Sequence, residues 1–188
     1  MRVLGVDPGL SRCGIGVVEG SSQRPVAVRA GVIRTSPDDP VARRLREVYD
    51  GVAAVIAEVQ PDAVALERVF FNANVRTAMG VGQGAGVVLL AAEQAGVAVT
   101  EYTPTQVKAA VAGTGDADKE QVGFMVRTLL CLAEVPKPPD AADALALALT
   151  HLALGGGGPV GGEMSPRLAA ALAAAGPGAQ VVRGGRSR

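Results

Sequence analysis

Apolar and polar positions alternate between two rhythms along this chain. Residues 1–7 (MRVLGVD) read as a short buried strand that ends in an acid, and Pro8-Gly9 breaks it. Residues 13–19 (CGIGVVE) predict a second strand, with glycines where a backbone or ligand can approach closely. Gly20 to Pro25 reads as a turn, and residues 26–34 as a third strand with partial alternation. Tight connections between these three predict an antiparallel set. Asp38-Asp39-Pro40 then marks a helix start, with acids at the positive dipole end. Val41, Leu45, Val48, Val52, Val55, Ile56 and Val59 recur at helical spacing until Pro61. Residues 63–67 (AVALE) predict a buried parallel strand, again closed by an acid, followed by a loop over 68–74. A long helix over 75–95, a fifth strand over 97–101, and helices over 103–111, 118–132 and 137–154 complete the pattern. The order βββαβαβα(α)α predicts a mixed α/β fold, a five-stranded sheet flanked by helices.

Composition sharpens the boundaries. Ten of the 25 glycines lie in residues 155–188, which also hold four arginines against one glutamate. The expectation is a domain over 1–154 and a flexible Gly/Ala/Arg-rich tail over 155–188, with a short helix at 166–175 at most. Eighteen basic and eighteen acidic residues cancel, so the tail's +3 leaves −3 on the domain, and any polyanion site there has to be a local patch. Apolar runs such as 87–92 fall far short of the ~20 residues of a membrane span, and no signal peptide opens the chain, so a cytoplasmic location is expected. Cys13 and Cys131 stand apart with no CxxC, which excludes a zinc site and predicts two buried, reduced thiols.

Chemistry concentrates in four carboxylates. Asp7 and Glu67 each end a strand, where ligands gather in α/β sheets. Asp140 and Asp143 are three apart at the start of the last helix, hence on one helical face. Four ionised acids converging on one low-dielectric pocket require a cation. All-oxygen donors suit one or two hard divalent ions such as Mg²⁺, the arrangement that activates water for phosphodiester hydrolysis. Individually each acid has a plainer reading: Asp140 caps a helix, Asp7 starts an Asx-turn, and Glu67 pairs with Arg68. The set of four is much more specific than any member. His151, the sole histidine, lies eight residues, or ~12 Å, beyond Asp143, too far for the same metal, and reads as a helix C-terminal residue.

The segments GVDPGLSRCGIG (5–16), ALERVF (65–70), QVKAAVAGTG (106–115), DKEQV (118–122), MVRTLL (125–130) and DAADALALALTH (140–151) resemble the RuvC family of Holliday-junction resolvases. The likeness runs in order from residue 1 to about 154. It implies an RNase H-like fold, a homodimer that makes two symmetric nicks across a four-way DNA junction, and work alongside the RuvAB branch-migration complex. It carries catalytic metal-binding roles onto Asp7, Glu67, Asp140 and Asp143, with two Mg²⁺ per site and Mn²⁺ as substitute. Phe70 matches an aromatic that stacks on junction bases, a contact worth ~1–3 kcal/mol per base. Lys108 and Lys119 match basic positions near the scissile phosphate, and Arg76 adds a phosphate contact by charge and position alone. The charge-poor 75–95 helix, with Gly80, Gly82, Gly84 and Gly86, is a candidate dimer face. Each of these glycines costs about 1 kcal/mol of helix propensity against Ala, a cost that suggests close backbone contact.

Two other classes compete. D-P-G before a glycine-rich strand also opens actin-like ATPases and sugar kinases, but those need a second such turn, and Glu67, Asp140 and Asp143 would go unexplained. A non-catalytic junction-binding module predicts loss of one or more acids, and all four are present.

Overall fold

The computed structural model describes residues 1–68 and 75–155, without the side chains of 75–77. A five-stranded sheet runs in the order β3-β2-β1-β4-β5, formed by β1 (Arg2–Asp7), β2 (Arg12–Ser21), β3 (Arg24–Arg34), β4 (Ala63–Glu67) and β5 (Ala98–Tyr102). The first three strands pair antiparallel, and β1–β4 and β4–β5 pair parallel. Parallel strands need crossovers, supplied here by α1 (Val41–Val59) and α2 (Val75–Gln94). The remaining helices are α3 (Pro104–Ala112), α4 (Lys119–Leu129) and α5 (Pro139–Ala153).

Alternation along each strand sorts the core into two layers. Leu4, Val6, Ile15, Val17, Val64 and Leu66 face α1 and α2. Val3, Val18 and Ala65 face α3, α4 and α5. Burying each such Val or Leu contributes about 1.5–3 kcal/mol. Helix α5 is apolar on all sides because it lies between the sheet and α3/α4, and every residue from Ala144 to Leu152 is buried.

Several expectations need adjustment. Gly20 and Pro25 are paired strand residues, so the β2–β3 turn shrinks to Ser22 and Gln23. Asp38 and Asp39 lie ahead of α1, whose N-cap is Pro40 without a side-chain cap; Asp39 instead accepts from Arg43 at 3.1 Å. Helix α4 stops at Leu129, and Cys131 follows at φ 51. Cys131 is exposed, contrary to the expectation of two buried thiols, because it falls in the turn after α4 and not on its packed face. Cys13 is buried as expected, and burial pushes its thiol up to about 12. His151 does lie in the last turn of α5, but it is buried, with Nδ1 3.0 Å from the Tyr102 hydroxyl. Phe70, and all but the first residue of the 155–188 tail with its 166–175 segment, lie outside the described residues. Among the described residues no helix is long and apolar enough to cross a membrane.

Candidate active site

Asp7 and Glu67 meet through strand register. Val6 pairs with Leu66 in the parallel β1–β4 ladder, so the next residue on each strand is an acid. Period-2 alternation turns both toward the α5 layer, the face that Gly5 and Ala65 also present.

The other two acids arrive because α5 lies unusually close to the sheet. A Cβ on Gly5 would overlap the Ala144 carbonyl and sit 2.9 Å from the Ala148 nitrogen. One on Gly16 would sit 2.5 Å from the Leu145 nitrogen, and one on Gly14 would overlap the Asp140 carbonyl. Any side chain at these three positions would lift the helix. Glycine lets its first two turns settle over the end of β1, bringing Asp140 and Asp143 beside Asp7. Asp140 does not cap the helix: Pro138 is the N-cap, and the Asp140 carboxylate pairs with the Arg12 guanidinium.

Lys119 is placed by a capping box. Asp118 accepts from the Gln121 amide while the Gln121 side chain accepts from the Asp118 amide, so α4 begins at Lys119. A cation at a helix N-terminus is opposed by the dipole. Asp143 compensates, accepting from Lys119 Nζ at 3.2 Å, and its charge raises the lysine pKa.

These residues frame a cleft of about 260 Å³ lined by Asp7, Glu67, Asp143, Lys108 and Lys119, with Pro104, Val107, Val122 and Leu147 as its apolar wall. Burial, then the charges of Glu67 and Asp143, push the Asp7 carboxyl up to about 8. Glu67 is raised too, by burial first, although a hydrogen bond from Asp7 and the charge of Lys119 oppose the shift. Both carboxyls are thus raised, with Asp7 on the donor side of its hydrogen bond to Glu67.

The family model described as crossover junction endodeoxyribonuclease RuvC matches residues 3–151. The chain belongs to the RuvC family. The RuvC of Parafrankia sp. (strain EAN1pec) is 59% identical over 153 residues, covering 81% of this chain and 86% of that one. That of Streptomyces coelicolor is 54% identical, covering 81% of each. Among solved structures, Thermus thermophilus RuvC in complex with a Holliday junction substrate aligns with a TM-score of 0.77 at 44% identity, covering 80% of this chain and 92% of that one. The yeast mitochondrial Holliday junction resolvase, 14% identical with a TM-score of 0.58, shares the fold; it covers 80% of this chain and 78% of that one. The architecture is thus the RNase H-like one that the sequence resemblance implied.

Not every residue expected in the RuvC site lines the cleft. Asp140 stands at its edge, held by Arg12. Phe70 is outside the described residues, and Arg76 lies in α2 with its side chain undescribed. The donor chemistry fits a hard divalent ion, since the acids are all-oxygen donors, and burial followed by their mutual repulsion raises the Asp7 carboxyl. Among the described residues, however, no three Asp, Glu, His or Cys side chains close into a coordination sphere. Arg12 engages Asp140, Lys119 engages Asp143, and Asp7 hydrogen-bonds Glu67. Arg12 is the feature that sequence reasoning missed. A basic residue opening a strand near an acid at its neighbour's end was the available signal, but Asp140 lies 128 positions away.

Proposed function

We propose that this chain nicks four-way DNA junctions at the cleft between β1, β4, α4 and α5, with Asp7, Glu67, Asp140 and Asp143 as ligands of a divalent ion. The enzyme class follows from the RuvC family, that of Holliday-junction resolvases acting in recombination and repair. The observation that carries the assignment of the site is the convergence of Asp7, Glu67 and Asp143 with Lys108 and Lys119 on one cleft.

Membership brings the divalent-metal chemistry of the family's nucleases; Mg²⁺, two ions per site, and Mn²⁺ as substitute are our reading of this chain. A bound ion pair would supply Lewis-acid stabilisation of the phosphodiester's developing charge and a water activated at neutral pH. The raised Asp7 carboxyl must give up its proton to act as a ligand. Lys108 and Lys119 line the same cleft and would offset the phosphate's charge. Phe70 stacks on a junction base, and Arg76 adds a backbone contact. We further read the active form as a homodimer joined through α2, whose Met79 and Leu90 are exposed on the turns around Gly82 and Gly86. Paired nicks then follow from the two-fold symmetry, with RuvAB as cytoplasmic partner.

A nicking assay tests the proposal. A synthetic four-way junction and a matched linear duplex are incubated with the protein in Mg²⁺ or in EDTA, beside Asp143→Asn. Paired symmetric nicks are expected on the junction alone, abolished by EDTA and reduced ~100-fold or more in the variant. Tight junction binding without nicks in Mg²⁺ or Mn²⁺ would leave only a binding module.

A further inference from the structure

Arg12 stands at the rim of the acid cluster and has no part in the mechanism above. Its backbone is fixed from several sides. The buried Arg44 of α1 donates from Nη2 to Ser11 Oγ at 2.6 Å and from Nε to Thr35 Oγ1 at 2.9 Å. Thr35 Oγ1 in turn donates to the Leu10 carbonyl at 2.7 Å, and the Thr35 amide to the Ser11 carbonyl at 3.2 Å. The turn before β2 is therefore tied to both α1 and the end of β3. Asp140 is fixed independently, its carbonyl resting against Gly14. The guanidinium–carboxylate pair thus bridges two separately anchored elements, half exposed on the arginine side (46%) and less so on the aspartate side (22%).

Arginine keeps its charge at any pH the protein meets, so it is a permanent counter-cation. The Asp140 oxygen that accepts from Arg12 Nη2 is not free to ligate an ion, and a divalent cation arriving beside a guanidinium is repelled. We infer that Arg12 is a positioning residue that holds Asp140 as an internal counter-cation in the metal-free site and must release it when the divalent ion binds. Each of the two acids on α5 is already paired with a cation, Asp140 with Arg12 and Asp143 with Lys119. Lys119 differs from Arg12 in lining the cleft itself, whereas Arg12 acts from the rim on one carboxylate.

The inference rests on Asp140 being a metal ligand, and the test separates the two claims. Mn²⁺ is titrated into the full-length chain without DNA, following free Mn²⁺ by electron paramagnetic resonance, for the native chain, Arg12→Gln, Asp140→Asn and the double variant. Arg12→Gln is expected to bind Mn²⁺ on the order of fivefold more tightly, the most that a part-exposed ion pair withholds. Asp140→Asn is expected to bind more weakly, and adding Arg12→Gln to it should change nothing further. Unchanged or weaker binding by Arg12→Gln would overturn the inference. So would a gain that survives in the Asp140→Asn background, because Arg12 would then act only as bulk charge. If Asp140→Asn binds Mn²⁺ like the native chain, the ligand assignment itself fails. Should Arg12→Gln not fold, Arg12→Lys carries the test: it keeps the charge, loses the planar fork, and should show a smaller gain in the same direction.

Discussion

Burial first, then mutual repulsion, raises the Asp7 carboxyl, and burial raises Glu67 beside it. The raised Asp7 carboxyl sets a pH dependence of stability. Asp7 titrates near 3.8 in the unfolded chain and at about 8 when folded. Between those values the folded state binds the extra proton, so metal-free stability declines as pH rises through the window. His151 acts in the opposite sense. Burial lowers it from 6.5 to about 4, so the stability it contributes is present above pH 6.5 and is lost as pH falls toward 4. From pH 4 to 6.5 the Asp7 and His151 slopes oppose, and above 6.5 His151 no longer offsets the decline from the raised carboxyls. Thermal melts in EDTA should therefore fall between pH 6.5 and 8, and Asp7→Asn should remove that fall. At pH 8 the variant should melt at least ~3 °C above the native chain, the shift of about 1 kcal/mol at this size, while losing nicking. A native-like decline in the variant would place the titrating group elsewhere. The acids themselves were legible, since each ends a strand or starts a helix. The raised carboxyls were not, because their pairing depends on register between strands 60 residues apart.

Helix α5 reaches the sheet only because β1 and β2 present glycine beneath it. Glycines in the second strand marked a close approach, but sequence left open whether backbone or ligand came near. The approaching group is the α5 backbone. Gly14→Ala would force a methyl against the Asp140 carbonyl, whose carbon lies only 2.8 Å from the added atom. Backbone cannot yield as a flexible side chain does, so the N-terminus of α5 should lift, carrying Asp140 with it. Misplacement by about 1 Å costs on the order of 100-fold in rate. Junction nicking by Gly14→Ala should fall by that order while junction binding in EDTA persists; native nicking rates would show that α5 tolerates the displacement. The α2 glycines behave differently. Added Cβ atoms at Gly80 and Gly84 meet the 8–10 turn at an ordinary 3.8–3.9 Å, and those at Gly82 and Gly86 meet nothing within 4 Å among the described residues. Their propensity cost is therefore not explained by packing among the described residues.

The open side of α2 bears on how the assembled enzyme cuts. Leu90 is 49% and Met79 58% exposed there. If two copies meet across this helix, Leu90→Glu places a charge in an apolar contact. Light scattering should then report the monomer mass, and paired nicks should give way to single ones. A native mass for Leu90→Glu would move the dimer face elsewhere. By itself the sequence determined the succession of elements, the strand-end and helix-start positions of the four acids, and the family. Period-2 and period-3.6 patterns, Pro and Gly punctuation and short motifs are local properties, and they survive in a one-dimensional reading. Only the tertiary structure decided that Asp140 faces Arg12, that Tyr102 closes on His151, that Cys131 is exposed, and that α5 rests directly on three glycines. Each of these depends on which elements become neighbours and how closely they pack, and that is fixed when the two core layers close on the sheet.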